Sequence, residues 1–152
     1  MNIHLSPTGD RIAEKTVQID APALRVWEAL TNPPLMQKWM SETHIDIFTD
    51  WKVGNPIIIQ GHLHSTKFQN KGTVLHFEPG KILRYSHLSS LSRLADEPRN
   101  YSIFEFLLAP LPEQTSLTLT LRNFPTESIL KHLVFYWNVT LEILKKAIEK
   151  PG

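Results

Sequence analysis

Hydrophobic residues recur at spacings of three and four along the C-terminal part of the chain, from Thr126 to Lys150. This spacing is that of one face of an α-helix, and it predicts a helix of roughly 24 residues, long enough to cross a whole sheet. Thr126 or Ser128 can cap its start, and Pro151-Gly152 can end it. The apolar residues of this face are Leu130, Leu133, Val134, Trp137, Leu141, Leu144 and Ile148.

The middle of the chain, from His44 to Leu121, instead alternates apolar with polar residues. A period of two residues is that of a β-strand with one buried and one solvated face. Thr115 to Leu121 shows it most clearly, since its leucines and threonines take turns. One strand is predicted before this region, at residues 13–19. Within the region, strands are predicted at residues 45–48, 57–63, 68–77, 81–88, 101–108 and 115–121.

One predicted hairpin has a defined register. If Pro79 and Gly80 are the central turn residues, Val74 lies opposite Tyr85 and His76 lies opposite Leu83. These four residues then share one face of the sheet, because residues directly opposite each other in antiparallel strands point to the same side.

Two short helices are predicted between the first and second strands. Asp20-Ala21-Pro22 supplies an N-cap oxygen and a proline near the first helical position, so a helix begins at Ala23 and ends at Thr31. Asn32-Pro33-Pro34 interrupts it, and a second helix covers Leu35 to Met40. The interior residues are predicted to be Leu24, Trp27 and Leu30 in the first helix, and Leu35, Met36 and Trp39 in the second.

An antiparallel sheet with one apolar face needs a cover, and the C-terminal helix is the only long amphipathic helix that can supply it. The order of elements predicts an α+β fold of the helix-grip type: a curved antiparallel sheet of about six to seven strands closed by that helix. Such a sheet leaves an apolar cavity between its two layers, unless bulky side chains such as Phe104, Phe106 and Trp137 fill it.

Composition narrows the class of protein. The chain has 152 residues, enough for one core, and we expect a single domain with its core at residues 13–150. The net charge is +1 with basic residues scattered, which gives no electrostatic case for nucleic acid. No signal peptide is visible, and charges within Ile129 to Ile148 argue against membrane insertion. With no cysteine, the sequence favours a soluble protein of the reducing cytoplasm.

Short motifs spread over the chain resemble a known family. They are Ile19-Asp20-Ala21-Pro22, Val26-Trp27, Trp39, Asp50-Trp51-Lys52-Val53-Gly54, Gly72-Thr73-Val74-Leu75-His76-Phe77-Glu78-Pro79, Leu83-Arg84-Tyr85, Thr115-Ser116-Leu117-Thr118-Leu119-Thr120 and Trp137. In this order, from Val17 to Lys150, they resemble the START-like (SRPBCC) superfamily. Within it they are similar to the family of the activator of heat-shock protein 90 ATPase. The chain has Asn55 and Gln114 where that family usually has glycines.

The resemblance implies a helix-grip fold with a pocket, and it leaves the function open. The superfamily includes lipid and hormone carriers, polyketide cyclases and dehydratases, and regulators of chaperones. A shared fold does not by itself assign one of these activities.

Histidines are the first candidates for chemistry. His62-Leu63-His64 has a spacing that places two imidazoles on one face of a strand, but no third ligand accompanies them, and we predict neither a metal nor a cofactor. Glu105 is the one carboxylate central to a strand, and a single carboxylate does not make a glycosidase site. No nucleophile elbow, phosphate loop or dinucleotide fingerprint is present.

A second group of polar residues fits the predicted pocket better. His76, Tyr85 and His87 share a face in the register given above, and they can orient a ligand carbonyl or act as acid and base. The segment from Ser89 to Asn100 is either a plain connection or a mobile loop whose Leu91 and Leu94 fold over the pocket mouth. The predicted ligand-binding residues are Trp39, His76, Tyr85, His87, Phe104, Phe106, Leu119, Leu133, Trp137 and Leu141.

Three functions remain open from the sequence. The first is binding of a small apolar or amphipathic ligand, lipid-like or polyketide-like, without catalysis. The second is an enzyme of the cyclase or dehydratase kind, which uses the same polar residues. The third is a regulator that binds a chaperone and carries an exposed apolar patch. The protein is expected to be a monomer or a homodimer.

Overall fold

The structure is a computed structural model, and it describes residues 1–150. Eight strands form one antiparallel sheet in the order β1-β2-β8-β7-β6-β5-β4-β3, and three helices accompany it. The strands are β1 Asn2–Leu5, β2 Arg11–Ile19, β3 Ile45–Phe48, β4 Pro56–Leu63, β5 Thr66–Glu78, β6 Ile82–Ser89, β7 Ser102–Leu111 and β8 Gln114–Arg122. The helices are α1 Ala23–Thr31, α2 Pro33–Met40 and α3 Glu127–Glu149, and single 3-10 turns cover Ser90–Ser92 and Pro98–Asn100.

The core lies between one face of the sheet and α3. Leu133, Trp137 and Leu141 of the helix belong to the same buried cluster as Phe104 and Phe106 of β7. This arrangement confirms the helix-grip fold. The strand count is eight, slightly above the prediction, because the exposed residues of β1 add an edge strand that has no buried face.

The C-terminal helix forms as its apolar period predicts. The Thr126 side chain caps it by accepting a hydrogen bond from the Ile129 amide at 3.1 Å. The residues of the predicted apolar face are all buried except Val134, which is half-buried. The predicted stop at Pro151-Gly152 lies outside the described residues. Within residues 1–150 no helix is long and apolar enough to cross a membrane.

Two details of α1 differ from the prediction. Its N-cap residue is Pro22, with no side-chain cap, whereas the Asp20 amide donates to a carboxylate oxygen of Glu149 at 2.8 Å. Leu24, predicted to be interior, is 67% exposed. The buried arc of this short helix is centred on Val26 and Leu30, and a helical turn of 100° per residue puts Leu24 on the opposite side.

The predicted hairpin turn between β5 and β6 is present, with Gly80 at φ 77° and the Lys81 amide donating to the Glu78 carbonyl at 2.9 Å. Val74 pairs with Tyr85 as predicted. The predicted pairing of His76 with Leu83 is wrong.

A β-bulge between Val74 and His76 is the reason for this difference. It places His76 opposite Arg84, and Phe77 rather than His76 opposite Leu83. One extra residue in a strand reverses the face of every residue after it.

Candidate functional site

Aromatic side chains fill the space between the sheet and α3. The Trp137 ring lies 5.6 Å from the rings of both Phe104 and Phe106, centroid to centroid, and 6.1 Å from that of Trp39. Alternation along β7 turns both phenylalanines inward, and the helical period turns Trp137 towards them. The structure therefore brings these four predicted site residues together in one cluster.

Two polar side chains of β6 join the edge of this cluster. The Tyr85 ring lies 5.6 Å from that of Phe104, and the His87 ring stacks on Phe104 at 4.8 Å with an interplanar angle of 27°. Leu83, Tyr85 and His87 point inward because residues two apart on a strand share a face. The hydroxyl and the imidazole thus sit against an aromatic wall.

Neither the Tyr85 hydroxyl nor the His87 ring is hydrogen-bonded to another residue within residues 1–150, and neither is a fully enclosed polar group without a partner. Both border a small void of about 10 Å³, which also borders Ile57 and Ile59 of β4 and Asn70 of β5. A volume of this size holds about one water molecule. Tyr85 and His87 are therefore available to a bound molecule in a way that satisfied core side chains are not.

Burial sets the protonation of both groups. It raises the pKa of Tyr85 far above its ordinary value, so the phenol keeps its proton at neutral pH. It lowers the pKa of His87 to about 4, and the positive charge that His132 can carry acts in the same direction. At pH 7 the site consequently offers a neutral hydroxyl and a neutral imidazole, with one ring nitrogen as donor and the other as acceptor.

The space between the sheet and α3 is too small for an organic ligand in this structure. Pockets that enclose a small organic ligand measure roughly 300–1,000 Å³, far more than the void beside Tyr85 and His87. Trp39, Phe104 and Trp137 take up the space that the architecture alone leaves free. A ligand of that size requires movement of the covering side chains or of α3.

His76 lies apart from the other two members of the predicted polar trio. The bulge in β5 turns it to the outer face of the sheet, where its ring nitrogen is 3.4 Å from a Glu78 carboxylate oxygen. Beside it, Arg84 donates from Nε to Glu105 at 2.7 Å, so the one carboxylate central to a strand is engaged in an ion pair. The trio of His76, Tyr85 and His87 does not form.

The remaining predicted site residues are in the core. Leu119, Leu133 and Leu141 are all buried, and they pack in the same cluster as the aromatic side chains. They support the position of the aromatic wall, and their side chains carry no polar atom that could orient a ligand.

Neither the predicted histidine pair nor the segment after β6 adds a group to the site. β4 ends at Leu63, and His64 lies in the following turn with φ 49°, so it does not share a strand face with His62. Within the described residues, no three His, Asp or Glu side chains are grouped to hold a metal ion. Asp96 ties the segment to the sheet by pairing with Lys71 and accepting from the Tyr101 hydroxyl at 2.5 Å.

The sequence analysis missed several residues of the site. Ile57, Ile59 and Asn70 border the void, yet β4 is apolar on both sides, so its pattern does not reveal its inner face. Tyr136 of α3 donates to the Met40 carbonyl at 2.8 Å and ties the grip helix to α2. The inner face of β4 is defined by its pairing with β5, and this pairing is known only from the folded sheet.

The fold and its aromatic grip define a START-like protein of the helix-grip type. Within that class, the chain belongs to the family described as "Activator of Hsp90 ATPase homolog 1-like protein", whose sequence model matches residues 20–149. This family assignment confirms the resemblance found in the sequence.

Solved structures agree with the family. The protein ChR145 from Cytophaga hutchinsonii is 37% identical, with 98% of this chain and 97% of that chain covered and a TM-score of 0.77. CalU16 from Micromonospora echinospora is 24% identical over 96% of this chain and 82% of its own, with a TM-score of 0.71. The Aha1 dimer from Colwellia psychrerythraea is 22% identical over 91% and 96%, with a TM-score of 0.70. No curated protein matches this chain.

Proposed function

We propose that this protein binds a small apolar or amphipathic ligand, lipid-like or polyketide-like, between the sheet and α3. The observation that carries the proposal is the pair of inward-facing polar side chains, Tyr85 and His87, which have no partner within residues 1–150 and rest on an aromatic wall. Because these polar atoms are not engaged with another residue, a ligand oxygen can bond to them without displacing a hydrogen bond within the protein, and such a bond contributes about 0.5–1.5 kcal/mol.

The charge of the site favours an uncharged polar group on the ligand. Tyr85 and His87 are both neutral at pH 7, and the nearby Lys71 ammonium is already paired with Asp96. A buried carboxylate would therefore find no free cation beside it, and burying an unpaired charge is costly. We expect a carbonyl or hydroxyl group at this position, with the apolar part of the ligand against Phe104.

The void lies on the β4 and β5 side of the pair, away from Trp137. Its other walls are Ile57, Ile59 and Asn70. Because Ile57 and Ile59 offer no polar group, space that opens in this direction suits a hydrocarbon chain. A ligand would enter here while the Trp137 ring keeps its contacts with β7.

Binding can be measured with two probes of equal chain length, dodecan-1-ol and dodecanoic acid. We expect saturable quenching of tryptophan fluorescence, since Trp39 and Trp137 belong to the wall, with the alcohol binding more tightly than the acid at pH 7. His87→Leu removes one hydrogen bond and is expected to weaken binding of the alcohol about tenfold.

The control is the same substitution on the outer face, His76→Leu, which is expected to leave binding unchanged. Absence of saturable binding for both probes would contradict the proposal, as would equal weakening by the two histidine variants. Native mass spectrometry of the purified protein, followed by denaturing extraction, then identifies any ligand that the protein carries from its host.

The geometry favours binding over a cyclase or dehydratase reaction. A general base works best with a pKa near the working pH, and burial lowers the pKa of His87 to about 4. The second histidine of the predicted acid–base pair, His76, lies on the other face of the sheet. We therefore propose a binding protein without catalysis of its own.

Family membership favours a second candidate, a regulator of heat-shock protein 90. The test is the ATPase rate of the purified chaperone with and without this protein. A rise in that rate supports the regulator. An unchanged rate together with ligand binding supports the ligand-binding function and excludes the regulator. Location in the cytoplasm stays a prediction.

A relative also suggests how the protein assembles. The Colwellia psychrerythraea structure is described as an Aha1 dimer. We propose that this chain likewise forms a homodimer, and the mass of the protein in solution tests it.

A further inference from the structure

The outer face of α3 exposes large apolar side chains. Phe135 is 73% exposed and Val139 is 47% exposed, one turn apart on the helix. A groove of about 390 Å³ adjoins them, and its apolar lining comes from Phe135 itself with Ile3 of β1 and Leu130 and Val134 of α3. We call Phe135, Val139 and this groove the α3 face; it carries both a protruding ring and a hollow.

Charged residues flank the apolar centre of the α3 face in a regular order. Glu127 and Lys131 precede Phe135 and Val139, whereas Glu142 and Lys146 follow them. The signs along the helix are therefore negative, positive, apolar, negative, positive. Reversing the direction of the helix exchanges each charge for its opposite, so the pattern is complementary to itself in an antiparallel arrangement.

The spacing of these charges gives the register of such a pair. If two copies of α3 pack antiparallel about an axis between residues 136 and 137, Lys131 meets the partner's Glu142 and Glu127 meets the partner's Lys146. The register follows from equal sequence distances to the axis, since a two-fold interface makes residue i contact residue j and residue j contact residue i. Val139 then lies opposite the partner's Val134.

Ion pairs within the chain leave the two lysines available. Glu127 pairs with Arg11 at 2.6 Å and Glu142 pairs with Lys15 at 3.1 Å, whereas Lys131 and Lys146 form no ion pair in the part of the chain that the structure describes. Opposite charges at the edge of an interface raise the rate of association and fix its register.

We infer that the α3 face binds a second copy of this chain, with the two α3 helices antiparallel and Phe135 of each copy against the partner's Asn138, which lines the end of the groove. The inference rests on the homodimer proposed above and assigns its surface. The charge pattern of the α3 face is complementary to itself, and the same face carries both a ring and a groove. A second copy therefore fits this face better than an unrelated partner, which would need its own matching charges and apolar surface.

The test is the molar mass in solution, measured by light scattering after gel filtration over a range of protein concentrations. The wild-type chain is expected to be a dimer. Phe135→Asp is expected to give a monomer, whereas Phe48→Asp, at a side chain that is 54% exposed on the edge strand β3, is expected to leave the dimer intact. Melting temperatures of both variants verify that they are folded.

A charge exchange tests the antiparallel register. Lys131→Glu and Glu142→Lys are each expected to weaken dimerisation about tenfold, because each places like charges at two symmetric positions. The double variant carries both changes and is expected to return to within about threefold of the wild-type dissociation constant, since opposite charges meet again.

Each outcome separates the claims. A wild-type monomer at every concentration overturns the homodimer and this inference together. A dimer that survives Phe135→Asp overturns this surface and leaves the homodimer standing. A double variant that is as weak as the single ones overturns the antiparallel register. Ligand binding at His87 is measured separately, so its failure does not affect these results.

Discussion

Acidification from pH 7 to pH 5 is expected to destabilise the protein through His87. An unfolded histidine has a pKa of about 6.5, and burial lowers that of His87 to about 4 in the folded chain. Between these values the unfolded chain binds a proton that the folded chain excludes, so the free energy of unfolding falls as the pH falls. The contribution is fully present above pH 6.5 and is lost as the pH approaches 4.

The structure explains why the folded chain excludes this proton. The lining of the void contains Asn70, Lys71 and Tyr85 but no carboxylate, and His132 on α3 adds a second basic group nearby. An imidazolium at the half-buried His87 would therefore have no counterion beside it. The difference between a pKa of about 6.5 and one of about 4 corresponds to about 3 kcal/mol, of which about 2 kcal/mol is lost by pH 5.

Urea unfolding at pH 7 and pH 5 measures this loss. His87→Phe keeps a ring against Phe104 and cannot take up a proton, so the wild type is expected to lose about 2 kcal/mol more than the variant on acidification. His76→Phe, on the exposed outer face, is expected to lose as much as the wild type. Equal losses in wild type and His87→Phe, or an NMR titration of His87 with a midpoint near 6.5, would refute the reasoning.

Three further changes test the packing around the site by urea unfolding at pH 7. Gly72→Ala places a Cβ atom 1.7 Å from the Ser86 carbonyl oxygen, and the resulting shift of backbone is expected to cost about 1–3 kcal/mol; a change below about 0.5 kcal/mol would contradict it. Trp137→Ala empties the centre of the aromatic cluster and is expected to cost about 3–5 kcal/mol, and a smaller loss would mean that the grip is loosely packed. Thr115→Val removes the hydroxyl that donates to the buried Ala21 carbonyl at 2.7 Å, at an expected cost of about 1–3 kcal/mol, and full stability would show that water replaces it.

The long-range order of the fold could be predicted from the sequence because it depends on sustained periods. Seven apolar positions of α3 repeat at helical spacing, and alternation along most of β7 and β8 defines one inner face. In patterns of this length, one residue that departs from the period does not change the predicted element. The aromatic wall of Phe104, Phe106 and Trp137 follows from these same elements, so its composition could be predicted together with the fold.

Single-residue irregularities account for what could not be predicted. The bulge before His76 inserts one residue into β5, and neither apolar period nor turn chemistry marks its position. Ile57 to Ile59 are apolar on both sides of their strand, so only pairing with β5 defines the face that borders the void. Leu24 shows the same limit in a helix of nine residues, which is too short for its period to locate the buried arc.

The bulge in β5 divides this strand into two segments with opposite alternation of inward and outward residues. Before it, β5 supports the wall that holds Tyr85. After it, Phe77 turns inward, stacks with Trp51 at 5.7 Å and makes an edge contact with Trp27 of α1 at 5.2 Å. Deleting Leu75 would restore a regular ladder and keep Phe77 inward, opposite Leu83. Val74 and Phe77 are three residues apart and would face opposite sides of a regular strand, so the extra residue lets a single strand support both the wall beside Tyr85 and the contact with α1.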